Sequence, residues 1–320
     1  MTSARSFPSH RLLAATAFPV LAAGCLTAGT TASQAADVGS SAVKYMEVDG
    51  ARLPYVEQGS GTSVVLVHGS LSDYRVWDPH LPAIASSGFR AVSYTQRYFG
   101  TEPWRDNWPP MSSQLHASDL ASFLRALNAG PVHLVGWSYS GHIVFSVALD
   151  HPDLVKSVFI YEPITPTYVT DPDARKTFQD NRGAILGPAA QSLKEGDEAE
   201  ATRQLMDGVA NKGAGYFYQQ PQPARDMQLD NARTLKPAFA SPPARQITCT
   251  ELGSIKVPVA IVQGTNTTPS YKVVAESAAR CMPAAKHVVV PGVTHTWPGE
   301  SPADFSSTVV SFLKGQSARQ

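Results

Sequence analysis

Three side chains suffice for acyl transfer: a hydroxyl that attacks, an imidazole that takes its proton, and a carboxylate that holds the imidazole in the right tautomer. Ser138 is the candidate hydroxyl. It stands at the centre of Gly136-Trp137-Ser138-Tyr139-Ser140, between the apolar run Val132–Val135 and an apolar-periodic segment carrying Ile143, Val144, Val147, Ala148 and Leu149. Strand, sharp turn and helix form the setting of a nucleophile elbow. Such a turn strains its middle residue and needs small neighbours two before and two after, here Gly136 and Ser140, where the second is usually Gly. A serine that only caps the following helix is the alternative reading.

His295 is the candidate base. It follows the predicted strand His287–Val290 by the loop Pro291–Thr294 and precedes Trp297-Pro298-Gly299-Glu300. In a parallel sheet that loop opens at the carboxyl ends of the strands, as the elbow does. The other histidines have poorer settings: His142 and His151 belong to the elbow helix and its end, His133 and His287 to strands, and His80 and His116 to neither kind of loop. The candidate carboxylate is Glu162, in Tyr161-Glu162-Pro163 at the end of the predicted strand Val155–Ile160. A glutamate at the mouth of an apolar strand needs a buried partner, and an imidazolium is one. Asn266 as a neutral orienter is the alternative. The negative charge that develops on oxygen needs donors, and the backbone N–H groups of Tyr139, backed by a helix N-terminus, and of Ser70, after His68-Gly69, are the candidates. His68 itself reads as a residue that orients this loop.

These groups must be carried by a sheet. Apolar strands are predicted at Val43–Val48, Leu53–Gln58, Ser63–Val67, Arg90–Tyr94, Val132–Val135, Val155–Ile160, Val257–Val262 and His287–Val290, the first two joined by a tight turn at Asp49-Gly50. Between them fall helical stretches at Trp77–Ser87, Gln114–Leu127, after Ser138, around Tyr271–Arg280 and at Phe305–Leu313. Strands that are apolar on both faces and separated by helices argue an α/β fold with a mainly parallel sheet. From Pro163 to Ser254 the chain is richer in Pro, Gln, Asp and Gly, with less regular helices predicted at Pro172–Gln179, Glu198–Asn211 and Asn231–Phe239 and turns at Pro221-Gln222-Pro223 and Ser241-Pro242-Pro243. That stretch is too long for an ordinary connection and reads as an inserted helical lid.

Taken in order, His68-Gly69-Ser70, the Ser138 elbow, Tyr161-Glu162-Pro163 and Pro291-Gly292-Val293-Thr294-His295 resemble the α/β-hydrolase superfamily, in its lid-containing serine hydrolase branch, over roughly Val43 to Leu313. The resemblance implies an α/β-hydrolase fold with a mostly parallel eight-stranded sheet flanked by helices. Residues 40–162 and 255–316 would form the core and 163–254 the lid. Many relatives carry an Asp about three residues past the Gly of the loop Gly264-Thr265-Asn266-Thr267-Thr268-Pro269, but here Thr267 fills that slot. Some members, the haloalkane dehalogenases among them, place the acid on the adjacent strand end, which is where Glu162 stands. This branch draws its oxyanion donors from the two loops that hold Ser70 and Tyr139. Haloalkane dehalogenases and epoxide hydrolases of the fold carry Asp at the position of Ser138, so a serine there points away from their chemistry. The expected reaction is attack by Ser138 on an ester, thioester, lactone or amide carbonyl of a small-molecule acyl substrate. Carbon–carbon bond hydrolysis or perhydrolysis would use the same groups, and a non-enzymatic binding protein on the same fold is the rival class. Trp137, Tyr98, Phe99 and Trp297, with His68, are the expected pocket wall. Tyr98 and Phe99 replace the smaller residues of a turn that in relatives resembles Asp-Gln-Arg-Gly.

Composition removes other classes. Lys plus Arg and Asp plus Glu are 26 each in 320 residues, which offers nothing to attract nucleic acid or an acidic membrane. No G-x-G-x-x-G follows the first parallel strand and there is neither a Walker lysine nor an H-E-x-x-H, so no cofactor and no metal are expected. Arg5 and Arg11 precede the apolar run Leu12 to Leu26, and Ser33-Gln34-Ala35 offers a cleavage site, so residues 1–35 read as an export signal that leaves no membrane span after processing. Leu21-Ala22-Ala23-Gly24-Cys25 is the alternative, a lipoprotein signal ending before Cys25. Either way the chain is expected to work outside the cytoplasm, periplasmic or secreted. Cys249 and Cys281 flank a predicted strand and the helix after it, where a bridge and two buried thiols are both open.

Overall fold

The computed structural model describes residues 42–317. The export-signal readings at 1–35 and Cys25 lie outside the described residues. Eight strands form one sheet in the order β1-β2-β4-β3-β5-β6-β7-β8. Those strands are β1 Lys44–Val48, β2 Ala51–Gln58, β3 Ser63–Val67, β4 Arg90–Tyr94, β5 Val132–Trp137, β6 Val155–Tyr161, β7 Val259–Gly264 and β8 Lys286–Val290. The first pair turns at Asp49-Gly50, where both residues have positive φ (44° and 77°), the geometry that favours Asp-Gly in a two-residue hairpin. β1–β2 and β2–β4 pair antiparallel, and every other pair is parallel. β3 and β5 are buried along their whole length, which is why their sequences run apolar without alternation.

Helices cover both faces. On one, α2 (Ser113–Leu127), α3 (Ser140–Asp150) and α10 (Pro269–Cys281) pack Phe123, Ile143 and Val274 against Val65, Leu134 and Ile261. On the other, α1 (Leu81–Ser86) and α12 (Pro302–Ser317) bring Leu81, Ile84, Phe305 and Val309 onto Leu66, Val135 and Phe159. α11 is the single turn Trp297–Glu300 just past His295. The expected helix Trp77–Ser87 divides into a 3-10 turn at Tyr74–Trp77 and α1. β7 starts two residues later than expected, after Pro258, which has no N–H to give a ladder.

Between β6 and β7 the chain inserts six helices: α4 Pro172–Glu195, α5 Glu198–Ala210, α6 Tyr216–Gln219, α7 Gln222–Asp230, α8 Leu235–Phe239 and α9 Cys249–Gly253. α4 runs well past the expected Gln179 and through Pro188 to a left-handed stop at Gly196. Ile185 and Ala189 on its inner face share a cluster with Ala201, Leu205 and Val209 of α5, packing that outweighs the lost backbone bond. Pro221-Gln222-Pro223, expected as a turn, opens α7, where proline in a first helical turn costs little. The expected helix Asn231–Phe239 begins as a 3-10 turn, Ala232–Thr234, before α8.

Cys249 of α9 and Cys281 at the end of α10 are joined by a disulfide across a sequence separation of 32, with Cα atoms 5.0 Å apart. Closing a loop of that size stabilises the folded chain by about 3–4 kcal/mol in the chain-entropy account. The bridge ties the end of the inserted region to the core. No helix among the described residues is long and apolar enough to cross a membrane.

Candidate active site

The elbow is built by close approach. β5 ends at Trp137, α3 begins at Ser140, and Ser138 between them has φ 60°, a conformation that costs a non-glycine residue energy and is held by its surroundings. A Cβ on Gly136 would lie 2.9 Å from Ile160 Cδ1, and one on Gly141 would lie 2.6 Å from Pro163 Cβ. Ser140 fits where glycine is usual because its hydroxyl is used. It accepts the Trp137 N–H at 2.8 Å and lies 2.8 Å from the Val67 carbonyl, so it stitches the elbow to β3.

His295 and Glu162 meet at the mouth of β6. The imidazole Nδ1 lies 2.7 Å from Glu162 Oε2, and both side chains are buried. Glu162 also has positive φ, 46°. Its Oε1 accepts the Gly264 N–H at 2.8 Å and its Oε2 accepts the Thr267 hydroxyl at 2.8 Å. Thr267, in the slot where many relatives carry Asp, therefore acts on the carboxylate and not on the histidine. Gly264 is required here, since a Cβ would fall 2.2 Å from the carbonyl of Val293 in the histidine loop. Asn266, the alternative orienter, faces away: its amide donates to the Gly292 carbonyl at 3.1 Å and only ties two loops together.

Tyr271, at the start of α10, stacks on the His295 ring with centroids 3.6 Å apart and planes at 11°. On the same histidine, Trp137 Nε1–H donates to the backbone carbonyl at 3.0 Å. Burial pushes the His295 pKa below the ordinary imidazole value. The Glu162 hydrogen bond and charge oppose that shift, and the Arg182 charge adds to it. The base is thus neutral near pH 7, with Nδ1–H donated to Glu162 and Nε2 free to accept a proton. Among the described residues no hydrogen bond joins the Ser138 hydroxyl to that nitrogen. Both groups face one cavity, and contacts of this kind tighten when substrate binds.

The two loops expected to supply the oxyanion donors lie side by side. A Cβ on Gly69 would be 3.2 Å from the Trp137 carbonyl and 3.3 Å from Ser138 Cβ, so the loop bearing Ser70 lies directly against the elbow bearing Tyr139. Tyr139 adopts helical φ and ψ at the N-cap of α3. Its side chain turns away from the cavity, and its hydroxyl donates to His116 Nδ1 at 2.9 Å while His116 Nε2 faces the Arg97 carbonyl at 3.0 Å.

Of the expected pocket wall, Trp137 lines the cavity and the others do not. His68 is buried behind the Gly69 loop, with Nδ1 2.8 Å from the Gly69 carbonyl and Nε2 accepting the Gln96 N–H at 3.0 Å. Burial lowers its pKa to about 4, so it is a neutral brace. Phe99 packs on His68 at 4.9 Å in the same layer. Tyr98, at φ 75°, folds outward onto Trp104 and Trp108. Trp297 is buried against Tyr161 and Phe305. Aromatic rings bury large areas wherever they sit, and these four positions are spent on the core and its surroundings.

The cavity itself measures about 400 Å³. Ser70, Ser138, Trp137, His295 and Tyr271 form its floor, and the inserted helices supply Leu205, Met206, Val209 and Met227 as an apolar roof. Arg182, Lys212, Tyr216 and Glu300 also line it. Tyr271, Arg182 and the roof escape a sequence reading. The amphipathic stripe of α5 signals a buried face, but nothing local says that this face covers the elbow. Among the described residues no group of three or more His, Cys, Asp or Glu is placed to hold a metal.

A family model described as the alpha/beta hydrolase family matches residues 64–308. The bifunctional epoxide hydrolase 2 of Rattus norvegicus is 29% identical over 109 residues, 34% of this chain and 20% of that protein, so the match spans about a fifth of this curated relative. Among solved structures, a thermophilic esterase from Thermogutta terrifontis superposes with a TM-score of 0.67 at 20% identity, covering 86% of this chain and 99% of that one. An enol-lactonase from Burkholderia xenovorans superposes with a TM-score of 0.65 at 18% identity, covering 85% and 100%.

Proposed function

The chain belongs to the alpha/beta hydrolase family, and within it we propose a serine hydrolase that cleaves an ester or related acyl bond of a small, fairly apolar substrate through an acyl-enzyme on Ser138. The observation that carries the reading is the buried His295–Glu162 contact at 2.7 Å, at the floor of a cavity that also holds Ser138. Ser138 Oγ attacks the carbonyl carbon as His295 Nε2 takes its proton. The imidazolium that forms is stabilised by Glu162. Negative charge on the former carbonyl oxygen is met by the N–H groups of Ser70 and Tyr139, a pair of fixed dipoles in which each donor is worth about 10²–10³ in rate. Collapse expels the leaving group with the proton from His295, and a water activated by the same base then releases the acid.

The epoxide hydrolase relative does not carry over directly. Epoxide opening through an ester intermediate needs a carboxylate nucleophile, and a hydroxyl stands at position 138. The disulfide supports work in an oxidising compartment after export.

Because the base must be neutral and its pKa lies below 6.5, the acid limb of kcat/KM is expected to inflect below pH 6.5. A limb inflecting above that value in a pH–rate series would contradict the buried, Arg182-flanked base. The decisive test is peptide mass spectrometry after exposure to a fluorophosphonate. An adduct confined to Ser138 is expected, whereas a folded protein that takes none would instead be a binding protein on this fold.

A further inference from the structure

Two cations and one carboxylate line the cavity. Lys212 is answered: it lies 2.8 Å from Glu300, whose Oε1 also accepts the Tyr216 hydroxyl at 2.8 Å and the Thr296 hydroxyl at 2.5 Å. Arg182 has no carboxylate within ion-pairing distance among the described residues. It is partly buried in α4, and its position is held, since the neighbouring Asn181 accepts the Ser270 N–H at 3.0 Å and pins α4 to the first turn of α10. Next along that turn is Tyr271, which lines the cavity together with Arg182 and Ser138.

Resting on the serine hydrolase reading, we propose that the acyl group of the substrate carries a carboxylate, away from the scissile carbonyl, which pairs with Arg182 across the cavity that both it and Ser138 line. The guanidinium presents a planar fork that matches a carboxylate with two parallel hydrogen bonds. One surplus positive charge suits a single negative one, whereas a phosphate dianion would call for more. The roof of Leu205, Met206 and Val209 takes the methylenes between the two ends. The carboxylate also completes the chemistry. An unanswered cation in the same cavity as His295 works against the imidazolium that catalysis must form, and a bound carboxylate removes that penalty only when the right substrate is present. The rival role for Arg182 is a fixed counter-charge for the whole site.

The test compares monoethyl succinate with ethyl butanoate, two ethyl esters of similar size that differ in the carboxylate. Arg182→Gln is expected to lower the ratio of their kcat/KM values about 10- to 100-fold, with Arg182→Lys recovering part of it. A ratio that stays within about twofold, both esters falling together, would mean a general counter-charge and would overturn the inference. Calorimetric titration of succinate into Ser138→Ala supplies a readout without turnover. Binding weakened at least about tenfold by adding Arg182→Gln supports the site, and absent or Arg182-indifferent binding rejects it. If succinate binds in that Arg182-dependent way while the wild type hydrolyses neither ester and takes no fluorophosphonate, the anion site stands and the acyl-transfer reading falls. If ethyl butanoate is turned over and the ratio does not move, only the carboxylate inference falls.

Discussion

Ser138→Ala is expected to lower kcat on a small ester by about 10⁶-fold, to the level at which only binding and the oxyanion donors act. The loss is large because the hydroxyl, the base and its carboxylate work as one unit, and without the first the other two have nothing to activate. Stability should barely change. Alanine keeps the Cβ that Ser138 already tolerates at φ 60°, and the backbone bond from Ser138 N–H to the Tyr161 carbonyl at 3.0 Å is untouched. The measurement is steady-state kinetics on purified protein beside a thermal unfolding scan. Retention of more than about a hundredth of the wild-type rate by a folded variant would place the nucleophile elsewhere.

How far the sequence reaches depends on whether a residue's partner is local. The strands are legible because both faces of β3, β5 and β7 are buried, which leaves apolar runs that no exposed segment would carry. The elbow is legible because its glycine stands at a contact that excludes a side chain. Glu162 can be found because an acid at the end of an apolar strand must meet something. The partnership of Thr267 with Glu162 spans 105 positions, and no periodicity connects them. Arg182 shares the cavity with Tyr271 only because α4 packs against α10, which the irregular composition of the insertion does not foretell. Tyr98 and Phe99 lie in an aromatic-rich loop whose rings can serve a pocket or a core equally well. Only the packed structure decides, and it buries Phe99 on His68 and turns Tyr98 outward.

Glu162→Gln is expected to slow hydrolysis by about 10³–10⁴-fold while leaving the fold intact, and the reason is the tautomer. Gly264 N–H and the Thr267 hydroxyl both donate into the carboxylate at 2.8 Å, one to each oxygen. A glutamine has one acceptor end only. With its oxygen toward Gly264, its NH₂ group points at His295 Nδ1, which must then become the acceptor, and the ring proton moves to Nε2. That is the nitrogen that has to take the proton of Ser138, so the base is blocked although every atom is nearly in place. The charge is lost as well. Glu162 raises the His295 pKa against burial, so the variant's residual activity should show an acid limb at lower pH than the wild type. Adding Thr267→Asp to this variant is expected to recover part of the rate, because the Thr267 hydroxyl lies 2.8 Å from the same carboxylate oxygen that His295 contacts at 2.7 Å. Near-wild-type kcat/KM in Glu162→Gln would sink the assignment. Rescue by the second carboxylate would show that the site needs a negative charge behind the imidazole and is indifferent to which strand end supplies it.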